Sequence, residues 1–331
     1  MKKGSQGHFD QGASVVQSGL CELGLEDFAR SFGTTVDDIP NECRDLIAKT
    51  DFRYSVLKGE ERDKIILDVI KRIESDQQII GAKERQSTWE KGWAENFQDF
   101  VKSGYDLNSL VPKFIRPNQV IRLKGDYVLP TNPKFELDYF SVFRLWLFRK
   151  YLAEFDSIYE FGCGTGFNLA ELAQLYPEKR LYGLDFVTSS RDLVNKLAEV
   201  NGWKMTGHLF DMLSPDEDLE IADNSAIFTI GVVEQLAGKF EAFLQFLLKK
   251  LPKLCINIEP TIELYDEDRL IDYLAIKFHR KRGYTENYLT RLRELEAENR
   301  IEILKVKRPF FGSLYMEGYS CIIWRPKKAK T

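Results

Sequence analysis

The sequence predicts an α/β protein in which a doubly wound, mostly parallel sheet ends in an antiparallel C-terminal hairpin and follows a mainly helical N-terminal domain. Two observations predict this fold class. Strand and helix patterns alternate from residue 157 to residue 258, which is typical of a parallel sheet covered by helices on both faces. The last two apolar segments, Ile301–Lys307 and Gly318–Trp324, are joined by a short loop, which predicts an antiparallel pair.

Residues 1–134 form the predicted N-terminal cap or substrate domain. Residues 1–12 are rich in glycine, serine and glutamine, and we expect them to be frayed. Across residues 13–102, apolar residues recur at helical spacing, which predicts several helices with breaks near Gly33–Pro40 and around Gly81. Glycines and prolines then cluster up to the domain boundary, which predicts an irregular connection with short strands such as Val120–Leu123.

Residues 135–331 form the predicted second domain. Its expected elements, in chain order, are a helix over Phe135–Leu152, a strand over Ser157–Phe161, a helix over Leu169–Leu175, a strand over Arg180–Leu184, a helix over Arg191–Glu199, a strand over Trp203–Phe210, a strand over Ala226–Ile230, a helix over Phe240–Lys250, a strand over Lys253–Ile258 and a helical stretch over Asp266–Glu298. A break near Gly283 divides the last stretch before the C-terminal strands begin.

The composition excludes several classes of protein. With 44% hydrophobic and 30% charged residues over 331 positions, the chain is neither disordered nor fibrous and is long enough to enclose a cleft. Its net charge of −4 argues against a bulk electrostatic grip on nucleic acid or on an anionic membrane. The N-terminus turns polar rather than apolar, and no apolar run approaches the roughly 20 residues that span a bilayer, so we expect a cytoplasmic protein without a membrane span.

The pattern of cysteines and histidines predicts neither a disulfide framework nor a metal site. The five cysteines are scattered and form no C-x-x-C pair, and the three histidines lack metal-ligand spacing. A reducing compartment fits this usage.

The first strand of the second domain ends in a glycine loop. The loop and the residues before it are Glu160, Phe161, Gly162, Cys163, Gly164, Thr165 and Gly166. Glycines at the carboxyl end of a first strand let a ligand approach the backbone closely, because no Cβ atom intervenes. The dinucleotide fingerprint does not fit, since Phe167 occupies the position of its third glycine. The Walker loop does not fit either, because its G-x-x-x-x-G-K-[ST] pattern is absent.

The spacing Glu160-x-Gly162-x-Gly164-x-Gly166 resembles the first motif of the class I S-adenosylmethionine-dependent methyltransferases. Three later positions agree with that family in kind and spacing: Asp185 after the second strand, Asp211 after the third, and residues 230–236 after the fourth. The resemblance covers about residues 135–325. It implies a Rossmann-like sheet of seven strands and S-adenosyl-L-methionine as the cofactor.

The resemblance also implies roles for individual residues. Asp185 would hold the ribose hydroxyls, since a carboxylate can accept from two neighbouring hydroxyls at once. Asp211 would bind the adenine amino group, Glu160 would lie near the methionine amino group, and Phe186 would lie against the adenine edge. Taken alone, each aspartate is better explained as a strand-end cap, but their succession after a glycine loop favours the cofactor role. The implied cofactor site is Glu160, Gly162, Cys163, Gly164, Gly166, Asp185, Phe186, Asp211, Met212, Ile230 and Gly231.

The general base is not evident. A hydroxyl acceptor needs a proton acceptor, whereas an amine needs only to be neutral. Many family members carry a histidine where this chain has Gln235, and glutamine cannot take up a proton. Gln235 would orient a substrate or simply replace a lost base. The other candidate catalytic residues are Glu234, Glu259 and His279, with Tyr284 as a further possibility.

Some of these candidates have simpler explanations. Glu259 precedes Pro260 and would serve equally well as a turn carboxylate. His279 lies in the basic run Lys277–Arg282, where a lone histidine is usually a surface residue. That run, continued by Tyr284, would otherwise hold a phosphate or carboxylate of the substrate, or form a solvated helix face.

Two features of the N-terminal region bear on the acceptor site. Trp89, Trp93 and Phe97 share one helical face, and most such stripes belong to the core. The segment Arg116–Tyr127, with Arg122 and Tyr127, lies just before the second domain, and this position alone suggests that it lines the substrate pocket.

The sequence therefore predicts S-adenosylmethionine-dependent methyl transfer to an oxygen or nitrogen of a small molecule, with a sugar or glycan intermediate as the expected acceptor. The alternatives are an acceptor in RNA or protein, or a protein that binds the cofactor without catalysis. Residues 265–331 hold 15 basic and 10 acidic residues, a modest excess for a nucleic-acid surface. The acceptor's identity and the oligomeric state are not predicted.

Overall fold

The computed structural model describes residues 19–78, 80 and 85–328. The expected fraying of residues 1–12 and the expected break around Gly81 lie outside the described residues. The strands are β1 (Leu20–Glu22), β2 (Arg53–Val56), β3 (Ile121–Leu123), β4 (Asp126–Pro130), β5 (Ser157–Phe161), β6 (Arg180–Asp185), β7 (Met205–Leu209), β8 (Ser225–Ile230), β9 (Leu254–Glu259), β10 (Ile301–Lys307), β11 (Phe311–Gly312) and β12 (Ser320–Pro326). The α-helices are α1 (Leu25–Phe32), α2 (Asn41–Lys49), α3 (Gly59–Ser75), α4 (Gln86–Lys102), α5 (Phe135–Tyr151), α6 (Phe167–Leu175), α7 (Thr188–Asn201), α8 (Glu241–Lys250), α9 (Leu270–Arg282) and α10 (Tyr288–Ala297). Short 3-10 helices cover Leu107–Leu110, Val233–Leu236 and Ile262–Leu264.

Seven strands form the central sheet, in the order β10-β12-β9-β8-β5-β6-β7. The five strands from β5 to β9 run parallel, whereas β12 pairs antiparallel with both β9 and β10. The predicted fold class is therefore confirmed. The strand order reverses at β5, since β6 lies on one side of it and β8 on the other. In such sheets ligands bind outside the carboxyl ends of the strands, beside this reversal.

Both faces of the central sheet are buried, as the near-continuous apolar runs of its strands require. Successive side chains of a strand point to opposite faces. Phe228 and Ile256 accordingly join one core cluster, whereas Ile227 and Cys255 join the cluster on the other face.

The described part of the N-terminal region holds four α-helices and also most of a second sheet, which was largely not predicted from the sequence. This sheet has five strands in the order β1-β2-β4-β3-β11. β1 and β2 have 3 and 4 residues, which is too short for an alternating pattern to be recognised. β11 comes from the other end of the chain and pairs with β3 in the register Phe311↔Leu123.

The connection between β10 and β12 is longer than the short loop that the sequence suggested. It spans residues 308–319 and carries β11, so the chain leaves the central sheet, joins the second sheet and returns. The antiparallel pairing of β10 with β12 is nevertheless confirmed. This excursion ties the two sheets together.

Four charged side chains are buried where this connection meets β3 and α9. Arg122 donates to Asp272 at 3.1 Å and lies 3.5 Å from a carboxylate oxygen of Glu317. Arg308 donates to both carboxylates, at 2.6 and 2.7 Å to Asp272 and at 2.5 and 3.0 Å to Glu317. We call these four residues the buried ion network. Of the segment Arg116–Tyr127, which was expected to line a substrate pocket, Arg116 and Gln119 line the cavity described below, whereas Arg122 and Tyr127 are fully buried away from it.

The described ranges add three observations. All five cysteines are free. Within those ranges, no helix has both the length and the apolar character needed to cross a bilayer. No group of histidine, cysteine, aspartate and glutamate side chains there is arranged to hold a metal ion.

Replacing Asp272 with alanine should destabilise the protein strongly. The change leaves the buried guanidinium groups of Arg122 and Arg308 with one carboxylate instead of two, and breaking a buried ion pair in this way typically costs about 3–5 kcal/mol. Urea unfolding followed by circular dichroism should show a clearly lower midpoint. The exposed Asp268→Ala variant is the matched control and should unfold like the wild type. Equal midpoints for the two variants would contradict this account.

Candidate functional site

A cavity of about 830 Å³ opens at the carboxyl ends of the central strands, beside the reversal of strand order. Its walls come from the glycine loop, the ends of β6, β8 and β9, the helices α4, α5 and α9, and the β10–β12 connection. Small-molecule sites in proteins usually have volumes of roughly 300–1,000 Å³. The cavity therefore lies where this type of sheet binds ligands and has the size of a ligand site.

The glycine loop adopts a conformation that side chains would obstruct. Gly162 has a φ of 72°, and a Cβ atom there would lie 2.4 Å from a methyl carbon of Val232. Gly166 has a φ of 71° and precedes α6; its missing Cβ leaves room for Leu197 of α7. Gly166 is the one predicted cofactor residue that does not line the cavity, so its glycine serves helix packing.

Glu160 presents a partly unsatisfied carboxylate at the cavity. One of its oxygens accepts a hydrogen bond from the Asn168 amide at 2.6 Å. The other, Oε2, is buried and has no hydrogen-bond partner in the described part of the chain. Burial raises the pKa of Glu160 to about 8, although Asn168 and the charge of Arg144 act in the opposite direction. A cationic group in the cavity would satisfy this oxygen.

Asp185, the last residue of β6, lies on the other side of the loop. It accepts hydrogen bonds from the backbone N–H groups of Gly164 at 2.9 Å and Val187 at 3.3 Å. Burial raises its pKa to about 6, and these hydrogen bonds partly oppose that shift. Phe186 follows it along the cavity wall, where the Gln86 amide donates to the Phe186 carbonyl at 3.5 Å.

The remaining predicted cofactor residues also line the cavity. They are Cys163, Asp211, Met212, Ile230 and Gly231. Phe210, which the sequence analysis did not select, joins them and packs edge-on against Phe161 at 4.9 Å.

Glu234 and Gln235 lie in the turn after β8, and both line the cavity. The Gln235 amide donates to Glu234 Oε1 at 3.0 Å and accepts from Arg85 Nη1 at 3.4 Å. Glu234 Oε2 is buried and lacks a hydrogen-bond partner among the described residues. The Gln235 amide and the Glu234 carboxylate thus both line the cavity next to the reversal of strand order, and Glu234 Oε2 can still accept a hydrogen bond.

Two of the predicted catalytic residues do not reach the cavity. Glu259 accepts hydrogen bonds from the Thr229 hydroxyl at 2.6 Å and from the backbone N–H groups of Val232 and Val233 at 2.9 and 3.1 Å. Its carboxylate therefore stabilises the turn after β8. Burial and the neighbouring Glu234 raise the pKa of Glu259.

His279 is fully buried and hydrogen-bonds the Thr285 carbonyl at 2.8 Å. Burial lowers its pKa to about 4. Its side chain joins the end of α9 to the following loop and does not line the cavity, which corrects the expectation that it faces the substrate.

Helix α4 covers the part of the cavity next to the glycine loop. The Glu90 carboxylate accepts from the backbone N–H groups of Thr188 and Ser189, at 2.8 and 3.0 Å, at the N-terminus of α7. Trp89 and Trp93 stack at 5.4 Å and line the cavity, whereas Phe97 packs against the core. The aromatic stripe that was expected to be core is therefore partly a ligand wall.

The sequence analysis missed a further acid in the cavity. Glu136, in the first turn of α5, accepts a hydrogen bond from the Tyr319 hydroxyl at 3.2 Å. Burial raises the pKa of Glu136 to about 7. An acid in the first turn is an ordinary helix-start residue, so the sequence offered no signal for this role.

No family model and no curated protein matches the chain. Among solved structures it is similar to the [4+2]-cyclase SpnF, at 10% identity over 75% of this chain and 97% of that one, with a TM-score of 0.50. It is also similar to geranyl diphosphate C-methyltransferase from Streptomyces coelicolor A3(2), at 13% identity over 70% and 98% of the two chains, with a TM-score of 0.44. Human N-acetylserotonin methyltransferase matches at 13% identity over 91% and 74%, with a TM-score of 0.46.

Likenesses at such low identity establish the fold alone, and one fold can host different activities. The glycine loop at the end of the first parallel strand and the antiparallel strand inserted between β9 and β10 are features of the sheet described above. The protein therefore has a Rossmann-like α/β fold, similar to that of SpnF.

Proposed function

We propose that the protein transfers a methyl group from S-adenosylmethionine to an oxygen or nitrogen atom of a small molecule. The observation that carries this proposal is the pair of buried carboxylates, Glu160 and Asp185, which flank the glycine loop at one cavity. Burial raises the pKa of both acids, and neither pairs with a cationic side chain among the described residues, so a ligand that offers several donors would stabilise their ionised forms. The cofactor offers an ammonium group and two vicinal hydroxyls.

The residues at the cavity fit the cofactor group by group. Asp185 would accept from the ribose hydroxyls, and the unpartnered Oε2 of Glu160 would accept from the ammonium group. Asp211 would accept from the adenine amino group, with Phe186 and Met212 against the ring.

When bound, the cofactor supplies an electrophilic methyl group whose leaving group is a neutral thioether. The protein's contribution is alignment and exclusion of water. Trp89 and Trp93 of α4 wall the cavity on one side, and the β10–β12 connection walls it on another. Gln235 would orient the acceptor through its amide, because it is already fixed between Glu234 and Arg85.

A hydroxyl acceptor requires a base, and two cavity carboxylates are available. Glu136 is suited to this task, because its pKa of about 7 places it near the pH at which it would work. Glu234 is the second candidate through its unpartnered oxygen. Glu259 and His279 are omitted from this proposal, since neither lines the cavity.

A small acceptor is supported by the enclosure of the site. Helix α4 and the β10–β12 connection bound a cavity of about 830 Å³, which suits a cofactor and a compact acceptor better than a folded macromolecule. A sugar or glycan intermediate fits the polar groups on the Gln235 side.

Label transfer tests this function directly. Incubation with methyl-labelled S-adenosylmethionine and a fractionated cell extract should place label in the small-molecule fraction. Asp185→Ala should abolish transfer, because the ribose hydroxyls lose their acceptor. Asp192→Ala changes an aspartate of α7 that pairs with Arg191 outside the cavity; this variant is the matched control and should retain activity.

Label in RNA or protein would overturn the small-molecule acceptor while leaving methyl transfer intact. Cofactor binding without label in any fraction would instead support a binding protein that lacks catalysis.

Affinity for S-adenosylhomocysteine should rise with pH. Glu160 has a pKa of about 8 before binding, and only its ionised form attracts an ammonium group, so binding must release a proton below that pH. Calorimetry should show an affinity about eightfold higher at about pH 7.5 than at about pH 6.5. Glu160→Gln should bind more weakly, with almost no pH dependence over that range. A wild-type affinity that is flat or falls with pH would contradict this assignment.

A further inference from the structure

Three arginines meet at the side of the cavity that the cofactor residues leave free. Arg72 lies in the last turn of α3, Arg85 immediately precedes α4, and Arg282 ends α9. All three line the cavity. We call them the arginine cluster. Three separate elements thus bring like charges together, which costs energy unless something compensates them.

The carboxylates within the described part of the chain compensate the cluster only partly. Asp76 lies 2.9 Å from Arg282 Nε and 3.8 Å from Arg72 Nε, so one acid serves two arginines. Arg85 has no carboxylate partner among the described residues; its Nη1 donates a hydrogen bond to Gln235 Oε1 at 3.4 Å. Burial lowers the pKa of Arg85, and the charge of Arg282 contributes in the same direction. The cluster therefore presents excess positive charge to the cavity.

Two of these guanidinium groups lie over aromatic rings. Arg85 lies 4.8 Å over the Trp89 ring, and Arg282 lies 4.7 Å over the Phe278 ring. A guanidinium group carries several N–H donors in one plane and can bind an oxyanion in bidentate fashion. Tyr284, which accepts from Arg282 Nη1 at 3.2 Å, adds a hydroxyl at the same place.

The position of the cluster separates it from the two aspartates assigned to the ribose and the adenine. Arg85 contacts Gln235 in the turn after β8, whereas Asp185 ends β6 and Asp211 follows β7. The strand order places β6 and β7 on the opposite side of β5 from β8. A second ligand beside the cofactor would therefore meet the cluster.

We propose that the methyl acceptor carries an acidic oxyanion, a phosphate or a carboxylate, and that Arg85 and Arg282 bind this group while Arg72 adds positive charge. The identification of the ligand as the methyl acceptor rests on the proposed function, whereas the anion site itself does not. The aromatic rings beside the cluster suit an acceptor whose acidic group adjoins a ring or another apolar face.

Matched small probes test the site in the full-length protein. Phenyl phosphate, benzoate and phenol share a ring and differ in charge and geometry. Their affinities are measured by calorimetry for the wild type, Arg85→Gln, Arg282→Gln and the control Arg280→Gln. Arg280 lies on the same helix but pairs with exposed acids outside the cavity. Titration with S-adenosylhomocysteine reports separately on folding and on the cofactor half of the cavity.

We expect phenyl phosphate or benzoate to bind at least about tenfold more tightly than phenol, because hydrogen bonds to charged groups supply that difference. Whichever acid binds more tightly identifies the oxyanion. Arg85→Gln should lose about tenfold in that affinity and keep its affinity for S-adenosylhomocysteine, and Arg280→Gln should change neither. Arg282→Gln also removes a partner of Asp76, so Arg85→Gln carries the argument if Arg282→Gln unfolds.

Equal binding of the three probes would overturn the proposal, as would acid binding that Arg85→Gln leaves unchanged. Loss of S-adenosylhomocysteine affinity in Arg85→Gln, with the probes unaffected, would overturn it by assigning the arginine to the cofactor. A wild type that binds the acids but not S-adenosylhomocysteine would refute the proposed function and leave the anion site in place.

Discussion

The buried ion network is the constraint on which the outer half of the cavity depends. It joins β3, the first turn of α9 and both ends of the β10–β12 connection through Arg122, Asp272, Arg308 and Glu317. Helix α9 ends in Arg282, and the residues around Glu317 line the cavity. Removing one partner from such a network leaves uncompensated buried charge, so the four side chains hold these elements in one arrangement.

The inner half of the cavity follows from a different constraint, the path of the backbone between β5 and α6. Positive φ angles at Gly162, Gly164 and Gly166 turn the chain within a few residues. The Asp185 carboxylate accepts a hydrogen bond from the backbone N–H of Gly164, and Glu160 lines the cavity beside the loop. The two carboxylates proposed to hold the cofactor are thus positioned by the central sheet, whereas the arginine cluster depends on elements outside it. This division lets one fold retain a cofactor while its acceptor changes.

The sequence predicted the central sheet well, and it selected candidate cofactor residues that, apart from Gly166, line one cavity, because both follow from local patterns. Apolar runs mark buried strands, and a glycine loop with acids at successive strand ends marks the ligand edge. The second sheet was largely missed, since β11 joins β3 from a distant part of the chain. The roles of Glu136 and Arg85 were missed for the same reason: each depends on tertiary neighbours that no spacing reveals. His279 was misplaced because a basic run does not indicate which of its side chains is buried.

The most direct test of this account is a crystal structure of the protein with S-adenosylhomocysteine. We predict density along the glycine loop, with the ribose hydroxyls within hydrogen-bond distance of Asp185 and the amino group beside Glu160 Oε2. The space around Arg85 and Arg282 should be free of the bound molecule. Density that fills the arginine cluster, or that avoids both carboxylates, would contradict the division of the cavity into a cofactor half and an acidic acceptor half.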